Sequence, residues 1–352
     1  MGLQVRTDWL TELGLDLPEN ADDMYQVLKT FQEKKNLETP FITTNSFLKM
    51  AVQHGIITAP FGLVKGDYYV KDGKVHYGYS ENEYKDVLTF LNKLYAEGLL
   101  DPNFASCDSA TQRAAFMNGQ AGMTLDTVSS GLGGALSTMA GTGFDAEGFG
   151  PLTRADGSRS YSTHYDNAVT GMMAIVTQQC KNKEAAFQFL NYAYTEEGQI
   201  LFNWGIEGES YDLVDGKPVV SRLITENPDG LTVQQVSALY NRAWQDGSFV
   251  QLKERQTQVI GTSQQLTTMD RWIDSDASLY QMPPVTVAEE DISEYSKLMS
   301  EINTYVSEMM VKYISGLESL DTFEEYQATL KKMGVDRAIE LQQAAYDSFN
   351  GQ

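Results

Sequence analysis

The stretch YYVKDGKVHYGYSENEYKDVLTFLNKLYAEGLLDPNF, residues 68–104, contains both kinds of element from which the chain is built. Two β-rich runs flank Asp72-Gly73, a dipeptide typical of a two-residue hairpin turn. The segment that follows has apolar side chains at helical spacing, and Gly98 with Asp101-Pro102 marks its end. The buried face of this predicted helix consists of Tyr84, Val87, Leu88, Leu91, Leu94 and Tyr95.

Short strands and helices alternate in the same way along the rest of the chain. An extended run at residues 3–6 precedes helical patterns, the clearest of them at residues 19–35, and a helix and a strand are predicted before and after Asn118-Gly119. Two helices divided at Thr195, a typical N-cap residue, lead into a second hairpin at Asp215-Gly216. Residues 231–349 are mainly helical in pattern, with a long apolar stripe from Ile292 to Tyr313. Such alternation predicts the α/β fold class.

Two further segments carry predictions of their own. NAVTGMMAIV, residues 167–176, is typical of a buried strand. Residues 129–150 are rich in glycine, serine and threonine, and they contain neither of the glycine patterns that bind nucleotides. We expect that glycine-rich segment to be a mobile loop.

Composition excludes several classes of partner. The 352 residues are 42% hydrophobic, which is enough for a sizeable core, and their formal net charge is −22. A protein with this negative charge repels the phosphate backbone of nucleic acids and anionic lipid surfaces. Neither is therefore expected as a partner. This net charge neither favours nor disfavours the binding of a neutral ligand.

No cofactor or metal is predicted. Two cysteines, Cys107 and Cys180, and three histidines lie too far apart for a zinc pattern. No apolar run reaches the ~20 residues that span a bilayer, and the first ten residues lack the pattern of a signal peptide.

Several segments, taken in order, resemble one family. These are residues 5–31, residues 68–104, the segment AAFMNGQAGMTLD at 114–126, the block at 180–218 that contains NWGIEGESYDLVDGKP, and the C-terminal residues 330–352. Their order and spacing are similar to those of the extracellular solute-binding proteins of ABC importers, carbohydrate-type family 1, and above all to its lipid-anchored bacterial members.

The resemblance implies a periplasmic-binding-protein type II-like fold of two α/β lobes, with a sugar or other solute bound in the cleft between them. Residues 1–163 would form the nearly complete C-terminal-type lobe, and residues 164–217 a returning segment of the incomplete N-terminal lobe. Residues 218–352 would be a helical region that completes the C-terminal-type lobe and the hinge. Family members begin with a signal peptide, a lipid-modified cysteine and further lobe sequence, so the resemblance implies that this chain is N-terminally truncated. We therefore expect exposed apolar surface at residues 167–176 and 185–194.

The same resemblance implies a cell-surface protein that delivers its solute to a membrane permease and contacts the membrane only through a lipid anchor missing from this chain. Many relatives carry an acidic calcium-type loop after the first helix. Here that place holds QEKKNLETPF, residues 32–41, which lacks alternating carboxylates, so no metal is expected.

Sugar binding requires aromatic planes and side chains that form hydrogen bonds with vicinal hydroxyls. Each candidate has a structural alternative: a tryptophan can fill a junction between elements, and an aspartate can form a turn. The candidate ligand-binding residues are Trp204, Glu207, Asp126, Thr127, Tyr165, Asn167, Trp272 and Trp244.

Two other interpretations stay open. Glu207 and Glu209 would lie roughly 7 Å apart on one face of a strand, a spacing that glycoside hydrolysis permits. The surrounding glycines predict a solvated turn, which does not favour acid catalysis, and no other catalytic motif is found. We therefore expect a non-enzyme. The remaining alternative is a truncated fragment that binds nothing.

Overall fold

The computed structural model describes residues 1–162, 174–227, 231, 233–242, 247–260 and 262–351. The chain divides into two units, the first comprising Met1–Tyr165 with Gln264–Gln352 and the second comprising Asp166–Ser263. Residues 218–263 thus group with the segment that precedes them, not with the C-terminal helices. The assignment of residues 1–163, 164–217 and 218–352 to lobes of the family's fold stays a prediction.

The strands of the described residues are short, with two to five residues each. They are β1 Gly2–Arg6, β2 Phe41–Ile42, β3 Tyr68–Lys71, β4 Lys74–Tyr77, β5 Met123–Asp126, β6 Ala146–Gly148, β7 Tyr211–Val214 and β8 Lys217–Val220.

The α-helices range from single turns to the 24 residues of the longest one. They are α1 Thr7–Leu13, α2 Ala21–Lys35, α3 Asn45–Gln53, α4 Glu83–Ala96, α5 Ser109–Met117, α6 Gly134–Thr138, α7 Lys183–Tyr192, α8 Glu196–Asn203, α9 Arg222–Thr225, α10 Val233–Tyr240, α11 Lys253–Val259, α12 Ser263–Trp272, α13 Ile292–Ser315, α14 Phe323–Lys332 and α15 Val335–Asn350. Among the described residues, no helix has both the length and the apolar character needed to cross a bilayer.

A four-stranded sheet in the order β2-β5-β1-β6 organises the first unit. Strand β1 is antiparallel to both of its neighbours, whereas β2 runs parallel to β5. All five residues of β1 are buried, as expected for a central strand covered on both faces. The register places Asp126, the last residue of β5, opposite Gly2. The C-terminal end of β5, an inner strand, therefore lies at one end of the sheet, where its side chains can contact the segments that follow the strand.

The hairpin and helix predicted at residues 68–104 are confirmed. Strands β3 and β4 pair from Tyr68–Tyr77 to Lys71–Lys74, and Asp72 and Gly73 both have positive φ, at 52° and 74°. A turn of this kind suits the twist of the strands and needs residues that tolerate the left-handed region. Helix α4 buries the predicted face, apart from the half-buried Tyr95, and packs against α13.

The apolar stripe predicted between residues 292 and 313 forms part of the same core. Its C-terminal part is buried, whereas Ile292 at the start of α13 is exposed. An extended aromatic cluster joins α13 and α14 to the hairpin, with ring centroids of neighbouring members 5.2 to 6.3 Å apart, a usual distance for edge and tilted contacts. Its members are Tyr77, Tyr79, Tyr84, Tyr313, Phe323 and Tyr326.

Residues 129–150 are more ordered than the expected mobile loop, and this prediction is wrong. A π-helical segment, Val128–Gly133, leads directly into α6, and β6 then pairs with β1. Composition suggested a loop because glycine and serine have weak intrinsic preferences for helix and strand. The order comes from partners distant in sequence, since Gly148 of β6 faces Gln4 of β1.

The second unit contains the second predicted hairpin and the two helices divided at Thr195, and both predictions are confirmed. The Thr195 hydroxyl accepts a hydrogen bond of 3.0 Å from the backbone N–H of Gly198 and so caps α8. Strands β7 and β8 pair around Asp215-Gly216. Residues 167–173 of the predicted buried strand lie outside the described residues. At its described end no strand is assigned, and Ile175 is exposed.

Helix α7 has no buried residue, which confirms the expected exposure of apolar surface at residues 185–194. Phe187 and Phe189 are 59% and 72% exposed, and Tyr194 is 50% exposed. We call Phe187, Phe189 and Tyr194 the α7 apolar patch. All three exposed apolar side chains fall within residues 187–194.

We expect the α7 apolar patch to bind a hydrophobic fluorescent dye such as anilinonaphthalene sulfonate. Replacing Phe187 and Phe189 together by serine should lower dye fluorescence without loss of thermal stability, because neither ring is part of the core. Leu317→Ser is the matched control, since Leu317 is 78% exposed in the first unit and lies outside the patch. Equal dye binding by the double variant and the wild type would contradict this expectation.

Candidate functional site

Asp126 lies at the C-terminal end of β5 and is 1% exposed. Arg113 of α5 holds its carboxylate from two sides, with Nε 2.8 Å from Oδ2 and Nη2 2.9 Å from Oδ1. The backbone N–H of Thr127 donates a third hydrogen bond of 2.7 Å to Oδ1. This paired arrangement is the strong geometry for arginine and carboxylate, and it raises the pKa of Arg113 above its ordinary value. Asp126 is therefore committed to protein partners.

Thr127 begins the π-helical segment that follows β5. Its hydroxyl accepts a hydrogen bond of 3.1 Å from the Gly131 N–H and lies 2.8 Å from the Ser130 hydroxyl, which in turn is 3.2 Å from Nη2 of Arg113. A Cβ on Gly131 would lie 2.3 Å from Cγ of Asp126, so only glycine allows this close approach of the segment to the carboxylate.

A cavity of about 140 Å³ lies beside this network, within the first unit. The Thr124 hydroxyl is buried and has no hydrogen-bond partner among the described residues. The cavity is lined by Gln4, Arg113, Phe116, Met117, Thr124, Asp126, Ser130, Gly131, Gly134, Ala135 and Thr138. We call this cavity the β5 pocket.

The chemistry of the β5 pocket suits a hydroxyl-bearing ligand. Its wall combines an aromatic ring and a methionine with hydroxyls and one guanidinium, whose charge the neighbouring carboxylate balances. Ligand sites of proteins generally have such a largely apolar wall with a few placed polar groups. Within the described ranges, no three histidine, cysteine, aspartate or glutamate side chains are grouped so as to hold a metal ion.

Trp204 belongs to the second unit, where it ends α8 and is 4% exposed. Its ring lies 6.3 Å from that of Tyr211 at the start of β7, and its carbonyl accepts a hydrogen bond of 2.7 Å from Ser210. This placement agrees with the structural alternative, a ring that fills the junction between helix and hairpin. Little of the ring is accessible to a solute, so a stacking role for Trp204 stays a prediction that its burial disfavours.

Glu207 and Glu209 lie in the turn between α8 and β7, and both are exposed. Two hydrogen bonds to backbone carbonyls hold the turn. The Gly208 N–H donates to the Tyr211 carbonyl at 2.8 Å, and the Ser221 hydroxyl donates to the Glu209 carbonyl at 2.6 Å. A glycosidase acid requires an apolar setting, which this turn lacks. The geometry thus leaves Glu207 available as an acceptor for hydroxyls, and that role stays a prediction.

Trp272 lies in the first unit and is 3% exposed. Its indole Nε1 donates a hydrogen bond of 3.1 Å to the Phe149 carbonyl, so the ring fastens α12 to the end of β6. Its neighbour Arg271 bonds to the carboxylate of Glu147 and the carbonyl of Gly148, both at 2.8 Å, because β6 brings these acceptors to the helix. A ligand-stacking role for Trp272 stays a prediction, which its burial disfavours.

Three predicted site residues, Tyr165, Asn167 and Trp244, lie outside the described residues. Of the remaining candidates, Asp126 lines the β5 pocket, and Thr127 lies next to it, where its hydroxyl is 2.8 Å from that of Ser130 in the pocket wall. The structure also shows two residues there that sequence reasoning missed, Arg113 and Thr124. Arg113 is a polar residue within a helix, and Thr124 lies between apolar residues of a buried strand. Neither position has a local sequence signal of a binding site.

The sheet order, the paired hairpins and the surrounding helices agree with the two-lobe type II periplasmic-binding-protein class, which the solved structures confirm as the fold. An alginate-binding protein, AlgQ2 without calcium ion, aligns with 98% of this chain and 71% of its own at a TM-score of 0.77 and 25% identity. The Streptococcus pneumoniae substrate-binding protein FusA, an EF-hand mutant in complex with fructo-nystose, aligns with 99% of this chain and 72% of its own at a TM-score of 0.74 and 17% identity.

Residues 1–200 match the family of bacterial extracellular solute-binding proteins, and the chain belongs to that family. It is 34% identical to the lipoprotein LipO of Bacillus subtilis over 60% of this chain and 44% of LipO. It is 19% identical to the fructooligosaccharide-binding protein FusA over 98% of this chain and 65% of FusA. The chain thus spans less than two thirds of the length of either relative. The members it resembles are substrate-binding proteins, not enzymes.

Proposed function

We propose that this chain is the solute-binding component of an ABC importer, that its solute is a neutral oligosaccharide, and that it breaks no bond. The observation that carries the proposal is the match of residues 1–200 to a family of extracellular solute-binding proteins. The β5 pocket, at about 140 Å³, can take only a terminal group of such a solute, and its hydroxyls and balanced guanidinium suit a group that carries hydroxyls.

The names of the relatives support a carbohydrate ligand but differ in the charge of that carbohydrate. FusA is a fructooligosaccharide-binding protein, whereas YtcQ of Bacillus subtilis, 28% identical over 35% of this chain, is a polygalacturonan/rhamnogalacturonan-binding protein. A net charge of −22 slows the approach of a polyanion, and Arg113 of the β5 pocket is already paired. Both facts favour a neutral sugar.

The partner and location follow from the same family. We propose that the protein is held at the outer face of the cell by a lipid anchor, as the name of its relative LipO indicates for that protein, and that it docks on a membrane permease. Closure of a binding protein on its solute is the usual event that such a permease detects.

Titration calorimetry tests the proposal, with kestose and nystose as neutral probes and oligomers of galacturonate as acidic ones. We expect saturable binding of a neutral probe with an affinity at least about tenfold higher than for the acidic oligomers. Ser130→Ala should weaken binding by about twofold to tenfold, the worth of one hydrogen bond, whereas Ser296→Ala on the exposed face of α13 should not.

Chromatography of the same mixtures separates the alternatives. Unchanged sugar after prolonged incubation supports a binding protein, whereas shortened products would assign hydrolysis and direct attention to Glu207 and Glu209. Absence of binding by every probe would overturn the proposal for this chain and favour a fragment that binds nothing.

A further inference from the structure

A second pocket lies in the first unit, away from the residues of the β5 pocket. Its volume is about 690 Å³, within the range of sites that hold small molecules. Three segments line it: residues 60–62 before the β3–β4 hairpin, one face of α4, and the turn at residues 154–156 with Tyr161. We call it the α4 pocket.

The floor of the α4 pocket is aromatic. Phe61 and Phe90 are both half-buried, with ring centroids 5.3 Å apart and planes inclined by 41°. Pro60 and Tyr161 extend this surface. Half-buried rings at the bottom of a pocket offer faces to the C–H groups of a sugar ring, and such contacts are worth more than their area alone.

The rim of the α4 pocket carries charges that cancel. Asp86 and Asp156 contribute two carboxylates, and Lys93 and Arg154 two cations. Arg154 is paired with Asp276 at 2.8 Å, and its guanidinium lies 4.4 Å from the centroid of the Tyr161 ring. A rim without net charge favours a neutral occupant, in a chain that is otherwise strongly acidic.

Both cations have partners within the protein. The Lys93 ammonium lies over the Tyr25 ring, 3.6 Å from its centroid, and Arg154 is committed to Asp276. Exposed Asp86 offers acceptors for the hydroxyls of a ligand.

We propose that the α4 pocket is a second carbohydrate-binding site, which takes a neutral sugar of one or two rings and is complete within the first unit. The rings Phe61 and Phe90 hold the apolar face of the sugar, while Asp86 accepts hydrogen bonds from its hydroxyls. The proposal is independent of the function proposed above, because every residue in it lies outside the β5 pocket.

Methyl NMR of the full chain tests this site, with methyl β-D-glucopyranoside as the neutral probe and methyl β-D-glucuronide as the acidic one. Thr89 and Ala155 line the α4 pocket and supply methyl reporters, which Thr89→Ser and Ala155→Gly assign. We expect both signals to shift in a saturable way with the neutral probe, with a Kd on the order of 1 to 10 mM for a ligand of this size. The acidic probe should bind more weakly.

Two variants show whether the named residues carry the binding. Phe90→Leu keeps apolar volume but removes the ring, and it should weaken binding about threefold to tenfold. Asp86→Ala changes an exposed side chain that is not part of the core and should weaken binding by a similar factor, so the test survives if Phe90→Leu disturbs the fold. Phe349→Leu, at an exposed ring of α15, is the matched control.

The outcomes of the titration are distinct. Shifts that do not saturate, equal affinity for the acidic probe, or unchanged affinity in both variants would overturn the proposal. Ser130→Ala should not change the methyl shifts of Thr89 and Ala155 on titration with the neutral probe. Loss of oligosaccharide binding at the β5 pocket can therefore be distinguished from loss of binding at the α4 pocket.

Discussion

Replacement of Trp272 by alanine is expected to lower the free energy of unfolding by about 3 to 5 kcal/mol, as measured by urea denaturation. The ring is 3% exposed, so its removal leaves a large cavity between α12 and β6. The substitution also removes the hydrogen bond of 3.1 Å from the indole to the Phe149 carbonyl. Gly148 is adjacent, since a Cβ there would lie 2.8 Å from the indole, so the backbone of β6 cannot easily move to fill the space.

Trp272→Phe separates the two contributions. It keeps much of the buried ring and loses the N–H donor, so we expect a cost of about 1 to 2 kcal/mol, close to that of leaving one buried carbonyl without its partner. A structural role also means that Trp272→Phe leaves sugar affinity unchanged. A Trp272→Ala variant as stable as the wild type would show that α12 is not fastened through this ring, and lost affinity in Trp272→Phe would restore its ligand-stacking role.

Asp126→Ala is expected to destabilise the protein by about 2 to 4 kcal/mol, because it leaves Arg113 without the carboxylate that balances it. The expected cost is below that of a fully buried pair, since the Arg113 side chain is about one third exposed and water can solvate it in part. The loss also frees the Thr127 N–H, which donates to the same carboxylate at 2.7 Å.

A double-mutant cycle with Arg113→Met measures how much of this cost belongs to the pair. We expect the double variant to be more stable than the sum of the single effects predicts, by about 1 to 3 kcal/mol, because it leaves no uncompensated charge. Additive effects of the two substitutions would mean that the arginine and the carboxylate act independently. The same variants should alter oligosaccharide binding, since both side chains line the β5 pocket.

Elements with strong local signals could be predicted from the sequence. Asp72-Gly73 and Asp215-Gly216 formed the expected hairpins, since few residues other than glycine and aspartate tolerate the positive φ that such turns need. Thr195 divided two helices because its hydroxyl satisfies an N–H that has no partner within the helix. Helix α4 buried its predicted face because 3.6 residues per turn place those side chains on one side.

The candidate site was less predictable, because it depends on contacts between distant segments. Asp126 and Thr127 were predicted from their place after a strand, but Arg113 became part of the site only through the packing of α5 against β5. Trp204 and Trp272 looked like platforms for a ligand, and both are buried. A tryptophan has the same sequence signature whether its ring meets a sugar or a neighbouring helix.

Local chemistry alone was sufficient for the hairpins, the helix ends and the α/β class, because turn geometry, capping and side-chain periodicity involve neighbours in the chain. The order of the sheet, the folding of residues 129–150 and the partners of Asp126 and Arg271 were decided by tertiary structure. Each of these depends on which surfaces become adjacent when the core forms, and the free energy of that choice comes from burial summed over residues far apart in sequence.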